Sequence, residues 1–187
     1  MDRRIERTLT NAREAALDVL AQGGFGAFTM EAVAAHSEIA KSTLYRHWPD
    51  RMALLSDALE TLNLQPRRSE PLQQDELRAR VIELLTHLAS VLENSRVAKV
   101  IPALIDAAEH YPQVASFLHT YSATRRQTLV ALLREGVTIG ELPPDFDAEL
   151  AALMMSGPIF YCRLMSPTSF PVARIPKLVD FALYRTR

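Results

Sequence analysis

The chain has little cysteine and little glycine: its 187 residues include one Cys, at position 162, and six Gly. A single cysteine excludes an internal disulfide and a cysteine-based zinc site, and it suits a reducing compartment. Phe160, Tyr161 and Leu164 surround Cys162 in the sequence. These apolar neighbours favour a buried, inert thiol over the alternative of a redox sensor.

The distribution of apolar residues favours neither a signal peptide nor a membrane span. The first ten residues, MDRRIERTLT, contain no apolar core. The longest apolar stretch covers residues 148–165, and polar or helix-breaking residues interrupt it at Glu149, Ser156, Gly157, Pro158 and Arg163. Such a stretch is a poor candidate for crossing a bilayer. We therefore expect a cytoplasmic protein with no membrane partner.

Motifs of the common enzyme classes are absent. The sequence contains no G-x-S-x-G, no HExxH and no glycine-rich phosphate loop. Its five histidines are scattered, and a proline separates His110 from His119. We expect no enzymatic activity, no cofactor and no metal site.

The charge of the chain gives no general attraction for nucleic acid. The formal net charge is −1 and the sequence pI is about 6.5. The first 51 residues contain seven basic and seven acidic residues. The basic residues are nevertheless concentrated, since the segment from Lys41 to Arg51 contains three of them, with His47, against one acid. Any contact with DNA is therefore expected from a local patch.

Nearly the whole chain has helical periodicity, and no segment alternates like a strand. The prediction is an all-α fold of about nine helices. Gly23 and Gly24 are expected to end the first helix, and Pro102 either begins a helix or kinks one. Capping residues and prolines set the bounds of the remaining predicted helices. One of them is capped by Asp145 or Asp147 and ends near residue 165. The others cover 29–37, 41–47, 51–64, 77–92, 112–136 and 172–184.

Residues 29–48, TMEAVAAHSEIAKSTLYRHW, have the pattern of a helix-turn-helix. Thr29 can cap the first short helix, and the turn falls at residues 37–39. The second helix carries polar residues outward, while Leu44 and Trp48 lie four residues apart and can anchor it to the domain. A helix of this size and polarity fits the major groove of DNA, which is about 12 Å wide.

The segment TMEAVAAHSEIAKSTLYRHWPDRMALL resembles the DNA-binding domain of the tetracycline-repressor (TetR) family. Matching positions are Lys41, Thr43, Leu44, Tyr45, His47, Trp48 and Pro49. Resemblance is strong over about the first sixty residues. The chain departs from the family pattern at Glu38, where glycine is common, at Ala40, where serine is common, and at Arg51, where lysine is usual. Beyond residue 60 the layout is similar, and the runs 134–142 and 156–164 resemble one branch of the family.

Roles on DNA follow from the helix-turn-helix geometry. Lys41, Ser42 and Thr43 lie on the first turn of the second helix, which meets base edges. Lys41 can donate to guanine, the Thr43 methyl can contact thymine, and Arg46 can contact a base or a phosphate. Thr29, Tyr45, His47 and Arg51 are predicted to contact the phosphate backbone. The alternative is that these residues are only solvated polar groups on a surface helix.

One helix-turn-helix reads few base pairs, so we expect a homodimer. The predicted interface is a four-helix bundle built from the helices near 112–136 and 146–165 of each copy. Small or flexible side chains that would allow close packing occur at Ala151, Ala152, Met155, Gly157 and Ile159. The alternative is that this run is a core helix within one protomer.

The resemblance implies that the C-terminal half binds a small, usually apolar effector that alters the separation of the two DNA-reading heads. Residues predicted to line its site are His110, Phe117, Tyr121, Met154, Phe160, Tyr161 and Arg163. Aromatic and methionine residues at helical spacing can equally be ordinary core. Arg163 needs an anionic partner, which can be Asp106, Glu109, a ligand carboxylate or an interface residue.

The domain division predicted from these observations is a helix-turn-helix DNA-binding domain over 1–50 and a helical effector-binding and dimerisation domain over 51–187. The predicted function is a ligand-responsive transcriptional regulator, a repressor that binds a palindromic operator as a homodimer and is released by a small apolar effector. The alternative is a helical small-molecule-binding protein that no longer binds DNA.

Overall fold

The computed structural model describes residues 3–62, 70–94 and 96–184. Within these ranges the chain forms nine α-helices and one 3₁₀ turn, and no strand, so the prediction of an all-α fold is confirmed. The helices are α1 (Arg3–Ala27), α2 (Met30–Ser37), α3 (Lys41–His47), α4 (Arg51–Leu62), α5 (Leu77–Asn94), α6 (Arg96–His110), α7 (Pro112–Thr138), α8 (Ala148–Met165) and α9 (Ile175–Tyr184), with the 3₁₀ turn at Val172–Arg174 directly before α9.

The chain divides into two compact units, of which the first comprises Met1–Leu64 and Ser95–Leu118. Helix α1 is the centre of this unit and packs against α2, α4 and α6. Its stripe of small and apolar side chains allows this close packing. The buried members are Leu9, Ala12, Ala15, Ala16, Leu17 and Leu20. Gly24, with φ 68°, interrupts the helical conformation near the end of α1, where the sequence predicted a stop.

Helix α6 is held to α1 by charge as well as by packing. The guanidinium of Arg96 lies with Nη1 3.0 Å from Glu14 Oε1 and Nε 3.2 Å from Asp18 Oδ1. Pro102 lies inside α6, so it does not begin a helix. By packing, α4 and α6 group with the N-terminal helices.

The second unit comprises Gln65–Asn94 and His119–Arg187. Here α5, α8 and α9 pack against one another. Asp147 caps α8 by accepting a hydrogen bond of 2.9 Å from the backbone of Leu150. Arg78 on α5 donates two hydrogen bonds to Asp180 on α9, at 2.6 and 3.0 Å. This bidentate geometry fixes the register of α5 and α9.

Gly136 lies at a close approach between α7 and α5. A Cβ atom at this position would lie 2.5 Å from Leu77 Cδ2, so the absence of a side chain lets the two helices meet. Pro66 and Pro71 flank a polar segment that the sequence predicts as a boundary, and this segment falls largely outside the described residues. Packing does not divide the chain at residue 50, because α4 and α6 belong to the first unit; the functional division at that residue stays a prediction.

Candidate nucleic-acid interface

The helix-turn-helix is built by capping and by one left-handed residue. Thr29 Oγ1 accepts a hydrogen bond of 3.0 Å from the backbone of Ala32 and so caps α2. Glu38 ends α2 with φ 57° and donates its backbone N–H to Ala34. Asn11 on α1 donates to the Ser37 carbonyl at 3.0 Å. The turn is therefore held from both sides, and α3 leaves it at a fixed angle.

Glu38 occupies a conformation that suits glycine, as its place in the family pattern suggested. We expect the substitution Glu38→Gly to raise the free energy of unfolding by about 1 kcal/mol, because a side chain in the left-handed region costs about that much. Urea denaturation followed by circular dichroism measures this change. The matched control is Ala35→Gly on the exposed side of α2, which should lower stability by a similar amount. A destabilised Glu38→Gly variant would contradict the interpretation.

Helix α3 begins without a side-chain cap. Ala40 precedes it and makes no side-chain hydrogen bond, and only its carbonyl accepts from Thr43 and Leu44, at 2.9 and 3.2 Å. Because alanine stands where serine is common in the family, α3 lacks a capping hydroxyl at its first turn. Tertiary contacts must hold so short a helix in place.

Leu44 and Trp48 provide these contacts, as predicted. Their side chains are buried, with 1% and 5% of their surface exposed. Trp48 Nε1 donates to Asp57 Oδ2 on α4 at 2.8 Å, and Arg13 Nε on α1 donates to the same oxygen at 2.9 Å. Hydrogen bonds to a charged group are stronger than neutral ones. Asp57 therefore joins α1, α3 and α4. Sequence reasoning missed Asp57 and Arg13, since neither lies in the motif.

Most of the residues predicted to contact DNA lie on the exposed side of α3. Lys41, Ser42, Tyr45 and Arg46 are exposed and fall within an arc of about 140° at 100° per residue. His47 is exposed at the end of α3, and its ring centre lies 5.7 Å from that of Trp48. Thr43 and Thr29 are half-buried. The hydroxyl oxygen of Thr29 serves as a cap, and its hydrogen can still be donated to a phosphate.

Arg51 makes internal contacts that the sequence did not indicate. Its Nη1 donates to the backbone carbonyls of Phe28 at 2.9 Å and Phe25 at 3.3 Å. The guanidinium carbon lies 4.1 Å from the centre of the Phe25 ring. Arg51 therefore braces the segment between α1 and α2, and Nη1 is already used. These contacts give Arg51 an internal role, and its contact with a DNA phosphate stays a prediction.

Lys41 has an acidic neighbour that sequence reasoning missed. Lys41 Nζ forms an ion pair with Glu31 Oε1 of α2, and both side chains are more than half exposed. Hydrogen bonding to Lys41 lowers the pKa of Glu31, and the same contact raises the pKa of Lys41. The signal in the sequence was an acid in the first turn of α2, which alone indicates only a favourable helix dipole.

The residues predicted to bind an effector are divided between the two units, and the effector site stays a prediction. His110 and Phe117 belong to the first unit, where His110 is exposed and Phe117 half-buried. Met154 and Tyr161 lie on the outer face of α8, with 39% and 65% of their surface exposed. Tyr161 is therefore poorly placed to line a cavity, and Met154 shares its face. Helical spacing could not tell an inward face from an outward one.

Three predicted residues remain half-buried in the second unit: Tyr121, Phe160 and Arg163. The guanidinium of Arg125 lies 5.1 Å from the Tyr121 ring centre. Arg163 lines a small cavity together with Glu93 and Phe170, and its volume of about 10 Å³ holds roughly one water molecule. The structure thus places an acid, Glu93, in the same cavity as Arg163.

Two family models match this chain. Residues 13–58 match the model described as bacterial regulatory proteins, tetR family. Residues 71–182, more than half of the chain, match the model of the tetracyclin repressor-like C-terminal domain. The chain belongs to the TetR family. This TetR-family protein is a DNA-binding transcriptional regulator of the helix-turn-helix type.

Individual relatives agree with this assignment. The chain is 28% identical over 155 residues to the HTH-type transcriptional regulator YdeS of Bacillus subtilis (strain 168), covering 81% of this chain and 76% of the relative. GusR of Salmonella enterica has the same fold, with a TM-score of 0.72, 22% identity and 95% of each chain covered.

A further solved structure with this fold is MexZ, named a key repressor responsible for antibiotic resistance in Pseudomonas aeruginosa. It matches with a TM-score of 0.71 and 16% identity, covering 95% of this chain and 93% of MexZ. Among the described residues of the present chain, none of the helices combines the length and hydropathy that a membrane span requires.

Proposed function

We propose that two copies of this TetR-family chain bind a palindromic operator, repress transcription, and leave the DNA when a small apolar effector binds. The observation that carries the proposal is an exposed apolar face on α8. A regulator that binds a twofold-symmetric site needs a second copy, and this face offers a surface on which that copy can pack.

The two faces of α8 have different neighbours. Ala148, Ala151, Ala152, Met155 and Ile159 are buried within the protomer. The opposite side spans about 120° at 100° per residue and carries large apolar side chains in solvent. Its exposed members are Leu150, Leu153, Met154, Tyr161 and Met165, with Gly157 among them. Four of the five residues predicted for the interface are therefore core, and only Gly157 lies on the outer face.

Helix α9 also carries exposed apolar side chains. It packs against α8 in the same unit, and Phe181 and Tyr184 on it are 54% and 50% exposed. By contrast, no exposed large hydrophobic side chain comes from α7 within the described residues. We therefore propose a four-helix interface of α8 and α9 from each copy, in place of the α7 and α8 pairing that the sequence suggested. Clusters of exposed apolar side chains often mark interaction sites.

The low net charge of the protein also favours DNA binding through two reading heads. With a formal net charge of −1, the chain has no strong general attraction for phosphates. Affinity must then come from specific contacts, and one head reads only a few base pairs. Two heads on one rigid dimer combine their contacts, because the second binding event becomes intramolecular.

Release by an effector requires a preference for one of two dimer conformations. Tyr121, Phe160 and Arg163 remain the proposed lining of the effector site, all within the second unit, and the roles of His110 and Phe117 stay predictions from the sequence. We reassign Met154 and Tyr161 to the dimer face. That the fold is shared with a repressor, MexZ, supports repression as the proposed mode of regulation.

Selection of bound sequences from random duplex DNA tests the proposal. We expect an inverted repeat whose half-site centres lie about 10 base pairs apart, or a multiple of that distance. Sedimentation of the purified complex should give two chains per duplex, and affinity should fall steeply as salt rises. A single unrepeated half-site bound by one chain would contradict the proposed dimer. Failure to select any sequence would favour a protein that only binds small molecules.

A further inference from the structure

Glu31 places a negative charge on the surface that meets DNA. Its carboxylate pairs with the ammonium of Lys41, the first residue of α3, and the side chains are 59% and 51% exposed. Tyr45 lies one turn further along α3 on the same side of the helix and is also exposed. Glu31, Lys41 and Tyr45 therefore form a contiguous exposed cluster at the start of the reading helix.

Glu31 gains a modest helix-dipole stabilisation from its place in the first turn of α2, but neither its ion pair nor general DNA affinity favours an acid on this surface. Exposed ion pairs add little to the stability of a fold, because solvent screens them and the side chains lose entropy. A carboxylate facing a polyanion weakens binding to every sequence alike. A carboxylate at this position can, however, contribute to selectivity by favouring one base over the others.

We infer that Glu31 reads cytosine in one G·C pair of each half-site, while Lys41 reads the guanine of the same pair. This assignment rests on the proposed entry of α3 into the major groove. The groove edge of a G·C pair presents two acceptors, guanine N7 and O6, followed by one donor, cytosine N4. An ammonium beside a carboxylate matches that order: Lys41 donates to guanine, and Glu31 accepts from cytosine.

The same pair rejects the alternatives. In an A·T pair, the group at the cytosine position is thymine O4, an acceptor that repels a carboxylate. In the reversed C·G pair, donor and acceptors change places relative to the two side chains. The ion pair also holds both groups in register before DNA arrives, so less side-chain entropy is lost on binding.

Base-preference profiles of the full-length wild-type protein and two variants test this inference. We expect the wild type to select G·C strongly at one symmetry-related position of each half-site. Glu31→Gln should relax the preference there by about tenfold, since an amide tolerates an acceptor and one base contact is worth roughly that factor. Its affinity for random DNA should rise, because a negative charge is lost.

Glu38→Gln is the matched control, because it removes the same charge from the neighbouring turn. It should change affinity for all sequences alike and leave the profile unchanged. The role of Glu31 would be overturned if Glu31→Gln changed the affinity for all sequences equally. It would also be overturned if Glu38→Gln relaxed the base preference at the same position. Neither result would contradict the proposed function as a transcriptional regulator. A wild type that selects no sequence would overturn both. Melting curves of the variants confirm folding, which exposed sites should not disturb.

Discussion

Replacing Tyr45 and His47 together by alanine is expected to abolish operator binding and to leave the fold intact. Both side chains are exposed on α3, and 48% of the Tyr45 surface faces solvent. They are proposed to contact phosphates, and a hydrogen bond to a charged group contributes about 1.5–3 kcal/mol. Each of the two heads would lose both contacts. The affinity for the operator should therefore fall below the range in which a gel-shift titration detects binding.

The control for this experiment is His119→Ala, which removes an exposed histidine from α7. This variant should bind the operator with wild-type affinity. The melting temperature of the Tyr45 and His47 double variant should stay close to the wild-type value, because Leu44 and Trp48 still anchor α3. If the double variant bound DNA normally, the outer surface of α3 could not be the reading surface.

Introducing glutamate at Leu150 and Tyr161 is expected to convert the dimer into a folded monomer. The two positions lie on the outer face of α8, with 53% and 65% of their surface exposed. In a symmetric interface each charge would be buried twice without a partner, which is strongly unfavourable. A monomer loses the coupling between its two heads, so operator affinity should fall by about 10² to 10⁴-fold. Sedimentation at micromolar concentration and fluorescence anisotropy measure both effects.

A matched pair on α7 distinguishes the two proposed interfaces. Thr124 and Ala131 are exposed and seven residues apart, so they share a face of α7. Glutamate at both positions should leave the dimer intact if α8 and α9 form the interface. Dissociation caused by the α7 pair would instead support the pairing of helices inferred from the sequence. A dimer that survives the α8 substitutions would rule out the α8 face.

The positions of the helices were predictable because local chemistry sets them. Thr29 and Asp147 cap α2 and α8, and Gly24 interrupts α1 near its expected end. Asp50 likewise accepts a backbone hydrogen bond of 2.8 Å from Ala53 at the start of α4. Each of these effects involves residues a few positions apart, so the sequence contains the whole interaction.

Contacts distant in sequence were not predictable in this way. The hydrogen bond from Arg13 to Asp57 joins residues 44 positions apart. The hydrogen bonds from Arg51 to backbone carbonyls 23 and 26 residues earlier were also not indicated by the sequence. Periodicity likewise showed that α8 has an apolar face on each side, but only packing shows that Met155 points inward and Tyr161 outward.

The order in which the chain is synthesised has a consequence for α1. The helix that covers one of its sides, α6, begins at Arg96, after the whole of α5 has been made. The N-terminal unit is therefore discontinuous, and closing it carries the entropy cost of a long intervening loop. A fragment that stops after α4 would leave apolar surface of α1 in water and lose the bridge from Arg96 to Glu14 and Asp18. The DNA-reading head is thus not a portable module that can be excised at the end of its sequence motif.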